Sequence, residues 1–377
     1  MLISYPGLSK LRTKLIEYEN VFLASDSGTL EQLKEMNSKR RAMEESINEK
    51  SLVTAAIARE MSGGLTSRCQ QDIQKLEYYL PLLENLVHHV NLIDQNPRMI
   101  SWISDLKIRW SRVFTSSSIF NLLSPKFYQF DNVYFELGMT LFVYGAMLRE
   151  QALEVLPSDL VHSTTLFRKA AGVYTYLSEE VLHHIVGTQE KPPEATSLVS
   201  SVMSLICLAE AQAVTARKAE ENGNTGGLLA KLHYGVTDLL AKAMVILQIA
   251  TKECKDISPR FMDFVFSCKT LHELKSYNYL AESLKNEGKI GTAIGVLHRA
   301  LSNSQKNQPI EDSWKLVYKL VFDDMTQLLQ KYQHENEFVW HEKVPHHSEL
   351  PSPQAVKIVS PITYQPHKWE RTLVFKL

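Results

Sequence analysis

Along most of the chain, apolar residues recur at alternating steps of three and four, the spacing that gathers side chains on one face of an α-helix. The clearest run is Ile73, Leu76, Leu80, Leu83, Val87 and Val90. Ser67 and Gln70 stand ahead of it at capping-box spacing, which marks a helix start. Pro81 lies inside the run and has no backbone donor, so the pattern predicts two packed helical pieces rather than one coiled-coil strand. Residues 312–334 have helical spacing as well. One stretch breaks the rule. Leu106, Ile108 and Trp110 alternate with Lys107, Arg109 and Ser111, the period of a half-buried strand. Phe127–Phe130, after a loop containing Pro125, is the expected partner, giving a small β-hairpin in a helical body.

Repetition organises the centre of the chain. Tyr277–Ala300 fits one tetratricopeptide unit: Tyr277, Leu280, Ala281 and Leu284 line a first helix, Gly288 takes the turn, and Ala293, Leu297 and Ala300 line a second. Small residues sit where two backbones approach, and large ones fill the gaps beside them. A partial copy begins at Tyr134–Gly138 and resumes, after an insertion, at Ala170, Tyr174 and Leu177. The connectors Gly187–Ser197 and Glu220–Gly227 are too short to separate domains. These features predict a mainly α fold: a curved helical solenoid with a tetratricopeptide-like core over about 131–300, a small β-hairpin, and an extended, proline-punctuated wrap over 346–377, all in one domain spanning 1–377. Solenoids of this kind bind peptides or helices and seldom catalyse.

Composition narrows the function classes. The net charge is −1 and no basic footprint stands out, which argues against a nucleic-acid partner. Lys39-Arg40-Arg41 is followed at once by Glu44-Glu45, a solvated helix face. Cys69, Cys207, Cys254 and Cys268 are scattered and contain no CxxC pair, as expected of reduced thiols. No signal-peptide core, myristoylation site or prenylation site is legible at the ends, and Leu137–Leu148 and Leu198–Val214 are too short or too polar to span a bilayer. Membrane association is therefore expected to be peripheral and through partners. His341–His347 (HEKVPHH) imitates HExxH, but Pro345 occupies the second ligand position and forbids the helix. Gly223–Lys231 lacks the Gly-Lys-Ser/Thr of a phosphate loop and reads as a flexible connector. With no nucleophile elbow either, no catalytic residue, cofactor or metal is expected.

Glu335–Pro345 (ENEFVWHEKVP) places Phe338, Val339 and Trp340 where a helix hands over to the extended tail. The cluster either plugs the end of the core or docks a partner; a structural wedge at Phe338 and Trp340 is the favoured reading. The segment resembles the closing motif of the BRO-one domain family of Alix-like and Brox-like endosomal proteins, through Asn336, Val339-Trp340 and Val344-Pro345. Ser204–Ala219, with its core Leu208-Ala209-Glu210-Ala211-Gln212, is similar to a helix of that family. LKIRW, followed by FELGMTLFVYGAML, resembles its strand and the helix after its hairpin. The similarity spans nearly the whole chain, and a stand-alone member without a coiled-coil arm or proline-rich tail is expected.

The resemblance implies a non-enzymatic adaptor or regulator in ESCRT-dependent sorting: cytoplasmic, recruited to endosomes and multivesicular bodies, and expected to be a monomer. Its implied partner is the C-terminal amphipathic helix of the filament-forming ESCRT-III subunit, with other ESCRT components possible, bound in an apolar patch on the convex face. Carried over through the Ala-Gln motif, the patch falls on Thr215, Leu228 and Leu232, the two leucines one turn apart. By periodicity alone both leucines would be ordinary core. Thr215 stands where the family often has an aromatic residue, and Trp340 where animal relatives can carry a phosphorylatable tyrosine. The alternative is a tetratricopeptide-type scaffold unrelated to ESCRT, which would show Lys, Arg and Asn on a concave face. A hydrolase would need a polar pocket with a bonded nucleophile and base.

Overall fold

The computed structural model describes residues 3–5, 7–48, 67–114, 126–186, 190–305, 308–367 and 371–377. A short α1 (Tyr18–Val21) and a long α2 (Ser27–Asn48) lead to α3 (Arg68–Asn91) and α4 (Pro97–Asp105). Two short strands follow, β1 (Arg109–Trp110) and β2 (Tyr128–Gln129), paired antiparallel. The rest is helical: α5 (Val133–Val155), α6 (Leu160–Tyr176), α7 (Ser197–Glu221), α8 (Gly226–Glu253), α9 (Pro259–Asn286), α10 (Ile290–Ser304) and α11 (Asp312–Glu335). From α5 onward each helix packs on the next, so one core runs the length of the stack. This is the mainly α class that the periodicity predicts.

Ser67 caps α3 by accepting from the Gln70 amide, as its spacing implies. The predicted break at Pro81 is absent: α3 runs unbroken through it. A mid-helix proline costs about 3 kcal/mol, but Tyr79, Leu80, Leu82 and Leu83 on either side are all buried. Burial of such side chains contributes about 1.5–3 kcal/mol each, which outweighs one lost hydrogen bond. The alternation at Leu106, Ile108 and Trp110 does point inward, although Leu106 caps α4 rather than opening the strand. The loop containing Pro125 lies outside the described residues. The tetratricopeptide unit appears as read. Asn286 ends one helix, Gly288 turns with φ +79°, and Ile290 opens the next, with Ala281, Ala293 and Leu297 fully buried between them.

Two buried ion pairs lock the stack. Glu136 of α5 accepts from Arg40 Nε (2.6 Å), Trp110 Nε1 (2.6 Å) and the Tyr79 hydroxyl (3.1 Å), joining α2, β1, α3 and α5 at one carboxylate. Arg149 of α5 grips Glu210 of α7 with two nitrogens and donates a third bond to the Tyr5 carbonyl. All four charged groups are at most 1% exposed. Removing one partner of such a pair leaves a buried charge uncompensated, which costs about 3–5 kcal/mol. By length and composition α7 and α8 are apolar enough to cross a membrane, but the most apolar window of α7 is 72% buried within this fold.

After α11 the helix widens into a π-turn over Asn336–Trp340 and stops at His341, which has φ +54°. Here the favoured wedge reading is corrected. Phe338, Val339 and Trp340 are 65%, 69% and 46% exposed and plug nothing. Asn336 does the structural work: its side chain donates to the Glu342 carbonyl and accepts from the Glu342 amide, both at 2.9 Å, while its own carbonyl receives the His341 amide. The wider turn rotates the aromatic rings outward and leaves the small amide inside. Accordingly, Asn336→Ala should cost about 1–3 kcal/mol by orphaning two backbone groups. Trp340→Ala should stay within about 0.5 kcal/mol. Chemical denaturation of both variants checks this ranking.

Candidate functional site

The tail after Pro345 crosses the stack in the reverse direction. Arg299 of α10 donates to the Leu350 and Pro351 carbonyls, the Val356 amide bonds the Lys231 carbonyl on α8, and Arg168 of α6 exchanges bonds with Ser360 and Ile362. Glu84 of α3 receives the Tyr364 hydroxyl (2.6 Å) and the His367 amide (2.9 Å). Val374 and Lys376 finish against Thr29, Ser25 and Leu23. The crossing is possible only because the helices are bare at two contacts. A Cβ on Gly172 would collide with the Ile362 carbonyl, and one on Gly235 with the Val356 carbonyl.

Gln212 of α7 sits under this crossing, wholly buried. Its Nε2 donates to the carbonyls of Val356 (2.9 Å) and Leu232 (3.3 Å), and its Oε1 accepts the Ile358 amide (3.1 Å). One side chain therefore fixes the tail against both α7 and α8. Thr215 lies one turn beyond Gln212, partly exposed, with its hydroxyl donating to the Ala211 carbonyl. Leu228 opens α8 at 38% exposed. Leu232 is 2% exposed and offers no surface, so the expected pair of leucines on one open face is corrected: one is a surface residue and the other is core. One turn of separation does not guarantee equal exposure where Val356 lies along α8 beside the second residue. Ile358, 57% exposed on the tail and pinned by Gln212, is an apolar surface residue that helix periodicity could not find, because it belongs to no helix.

A buried polar cluster underlies the same corner. Glu220, near the end of α7, accepts from His233 Nε2 (2.9 Å) and the Tyr279 hydroxyl (2.7 Å), with Lys275 Nζ at 3.5 Å. Burial opposes its charge, yet the bonds from His233 and Tyr279 and the Lys275 charge hold its carboxyl down to about 2. His233 Nδ1 faces His272 Nδ1 at 3.1 Å. With Nε2 donating to Glu220, neutral His233 must accept at Nδ1. His272 then donates from Nδ1, and its Nε2 is a buried acceptor with no partner among the described residues. Burial lowers the pKa of both rings, and His233 lowers His272 further. Among the described residues no group of His, Cys, Asp and Glu is arranged to hold a metal. The cleft between α9 and α11 is lined by Glu282 and Asp324 as well as Lys275 and Asn278, a mixed rather than a purely cationic set.

The family comparison fits this architecture. A sequence model described as the BRO1-like domain matches residues 33–375. The vacuolar-sorting protein BRO1 of Saccharomyces cerevisiae is 26% identical over 248 residues, 63% of this chain and 28% of that protein. The human BRO1 domain-containing protein BROX is 25% identical over 190 residues, 47% of this chain and 46% of its own. The matched stretch thus spans less than half of either relative. A solved ALIX BRO1 CHMP4C complex superposes with TM-score 0.69 at 18% identity, covering 94% of both chains. A structure described as the basis for endosomal targeting by the Bro1 domain gives TM-score 0.65, also at 18% identity. At such identities these structures establish the curved helical fold.

The histidine pair gives a pH prediction. Folded-state pKa values below the ordinary value of 6.5 mean that the unfolded chain binds more protons below that pH, so this contribution is complete above 6.5 and is lost as pH falls. Glu194, buried and raised to about 7, has the opposite trend, so the readout is the difference between variants. The fall in Tm between neutral pH and pH about 5 should be smaller in His272→Gln than in wild type, as scanning calorimetry would show.

Proposed function

This chain belongs to the BRO1-like domain family, whose match covers residues 33–375, and on that premise we propose that it is a non-enzymatic adaptor in ESCRT-dependent endosomal sorting. In this reading it sits in the cytoplasm and is recruited to endosomes and multivesicular bodies through its partners. It binds the C-terminal amphipathic helix of the filament-forming ESCRT-III subunit. The observation that carries the reading is that two apolar residues, Leu228 of α8 and Ile358 of the tail, are exposed while Gln212 bonds the tail at Ile358 and α8 at the Leu232 carbonyl. Leu232 is buried one turn along α8 from Leu228, and Thr215 is partly exposed one turn along α7 from Gln212. Support comes also from the ALIX BRO1 CHMP4C complex, a relative of the same fold in complex with CHMP4C.

Helix-in-groove recognition rests on a few apolar anchors. Loss of one buried apolar anchor costs about 1.5–3 kcal/mol, roughly ten- to a hundredfold in affinity. Calorimetric titration of the ESCRT-III C-terminal peptide should therefore show such a loss for Leu228→Asp and for Ile358→Asp, with both variants folded by circular dichroism. Leu232→Asp should instead unfold the corner, because it buries an unpaired charge. Thr215→Phe should strengthen binding by roughly tenfold. If folded Leu228→Asp and Ile358→Asp bind like wild type, the assigned face is wrong.

A further inference from the structure

The outer face of α11 carries a second surface, separate from Leu228 and Ile358. Leu316, Leu320, Asp323 and Gln327 recur at steps of four, three and four, and Lys331, His334 and Phe338 continue at four, three and four. Every one of these residues is exposed, so the row is an unpartnered stripe about 33 Å long at 1.5 Å per residue. The His334 and Phe338 rings lie 4.5 Å apart, which carries the row from α11 into the π-turn.

The row is complementary to itself when reversed. Leu316 and Phe338 each lie 11 residues from Gln327, Leu320 and His334 seven, and Asp323 and Lys331 four. Apolar side chains thus face rings at equal distances from the centre, and an acid faces a base. Lys285–Glu335 and Lys315–Asp312 are ion pairs of this helix, but neither Asp323 nor Lys331 has one among the described residues. Among the described residues both charges are unused.

We propose that the partner for this stripe is a second copy of the same chain, packed antiparallel along α11 about a twofold axis through Gln327. The contact is isologous: Leu316 meets Phe338 of the copy, and Leu320 meets His334. Asp323 pairs with Lys331, and each contact occurs twice. A parallel arrangement would set Asp323 against Asp323 and Lys331 against Lys331, so the charges select the antiparallel one. One helix from each side makes a small interface, in the transient class below about 1,200 Å². The dimer departs from the monomer expected from the sequence, and it uses none of the residues assigned to ESCRT-III binding.

Sedimentation velocity of the full chain across the micromolar range tests this. A reversible dimer is expected. Asp323→Lys and Lys331→Asp should each weaken it roughly tenfold, and the two together in one chain should restore it by exchanging the signs of the pair. All substituted positions are exposed, so loss of folding is a poor explanation for a change, and circular dichroism excludes it. Gln327→Cys should cross-link between copies with a short bismaleimide, unlike wild type. A chain that stays monomeric throughout, or a combined charge exchange that fails to restore what the single changes removed, overturns the proposal and leaves the stripe to a helix of another protein.

Discussion

The close approach of an extended backbone to bare helix surfaces is the constraint on which this molecule depends. Helices stacked in sequence contact only their neighbours, so a solenoid has little to tie its two ends together. Here the tail supplies that tie, running back from α10 to Ser25 and Leu23 near the start of α2. It can lie flush only where Gly172 and Gly235 remove the Cβ atoms that would strike its carbonyls. Gln212 then converts contact into position. Because its amide bonds Val356, Ile358 and Leu232 at once, the tail is fixed against both α7 and α8 at that point.

Buried polar networks give the stack its register. Glu136 and Glu220 each collect partners from two or more elements, and Glu210 of α7 takes two bonds from Arg149 of α5. Such networks contribute modestly to net stability but penalise any packing that leaves a member unsatisfied. The penalty is visible where satisfaction is incomplete: among the described residues His272 keeps one buried nitrogen without a partner, and this end of the α7–α9 corner is where low pH should act first.

Much of the fold was legible because helix periodicity and turn glycines report local physics. The Ser67 cap, the inward Ile108 and Trp110, and the Gly288 turn all behave as their spacing implies. The failures share one cause: burial is settled by elements distant in sequence. Pro81 sits in a continuous helix because the surrounding residues are buried. Phe338 and Trp340 looked like core residues, yet a π-turn rotates them into solvent. Leu228 and Leu232 looked equivalent until Val356 came to lie along α8. Ile358 gave no signal at all, since an extended residue in a proline-rich tail has no period to read. Family resemblance pointed to this corner of the molecule; the tertiary crossing distinguishes which side chains are exposed there.

The corner where α7, α8 and the tail meet is the proposed recognition face for an amphipathic helix. Hydrogen-exchange mass spectrometry of the full chain, with and without the ESCRT-III C-terminal helix, tests it most directly. Added protection is expected at the tail amides around Val356 and Ile358 and at the start of α8, with α9 and α11 unchanged. Protection confined to the cleft between α9 and α11, with the tail amides exchanging as in the free chain, would contradict it.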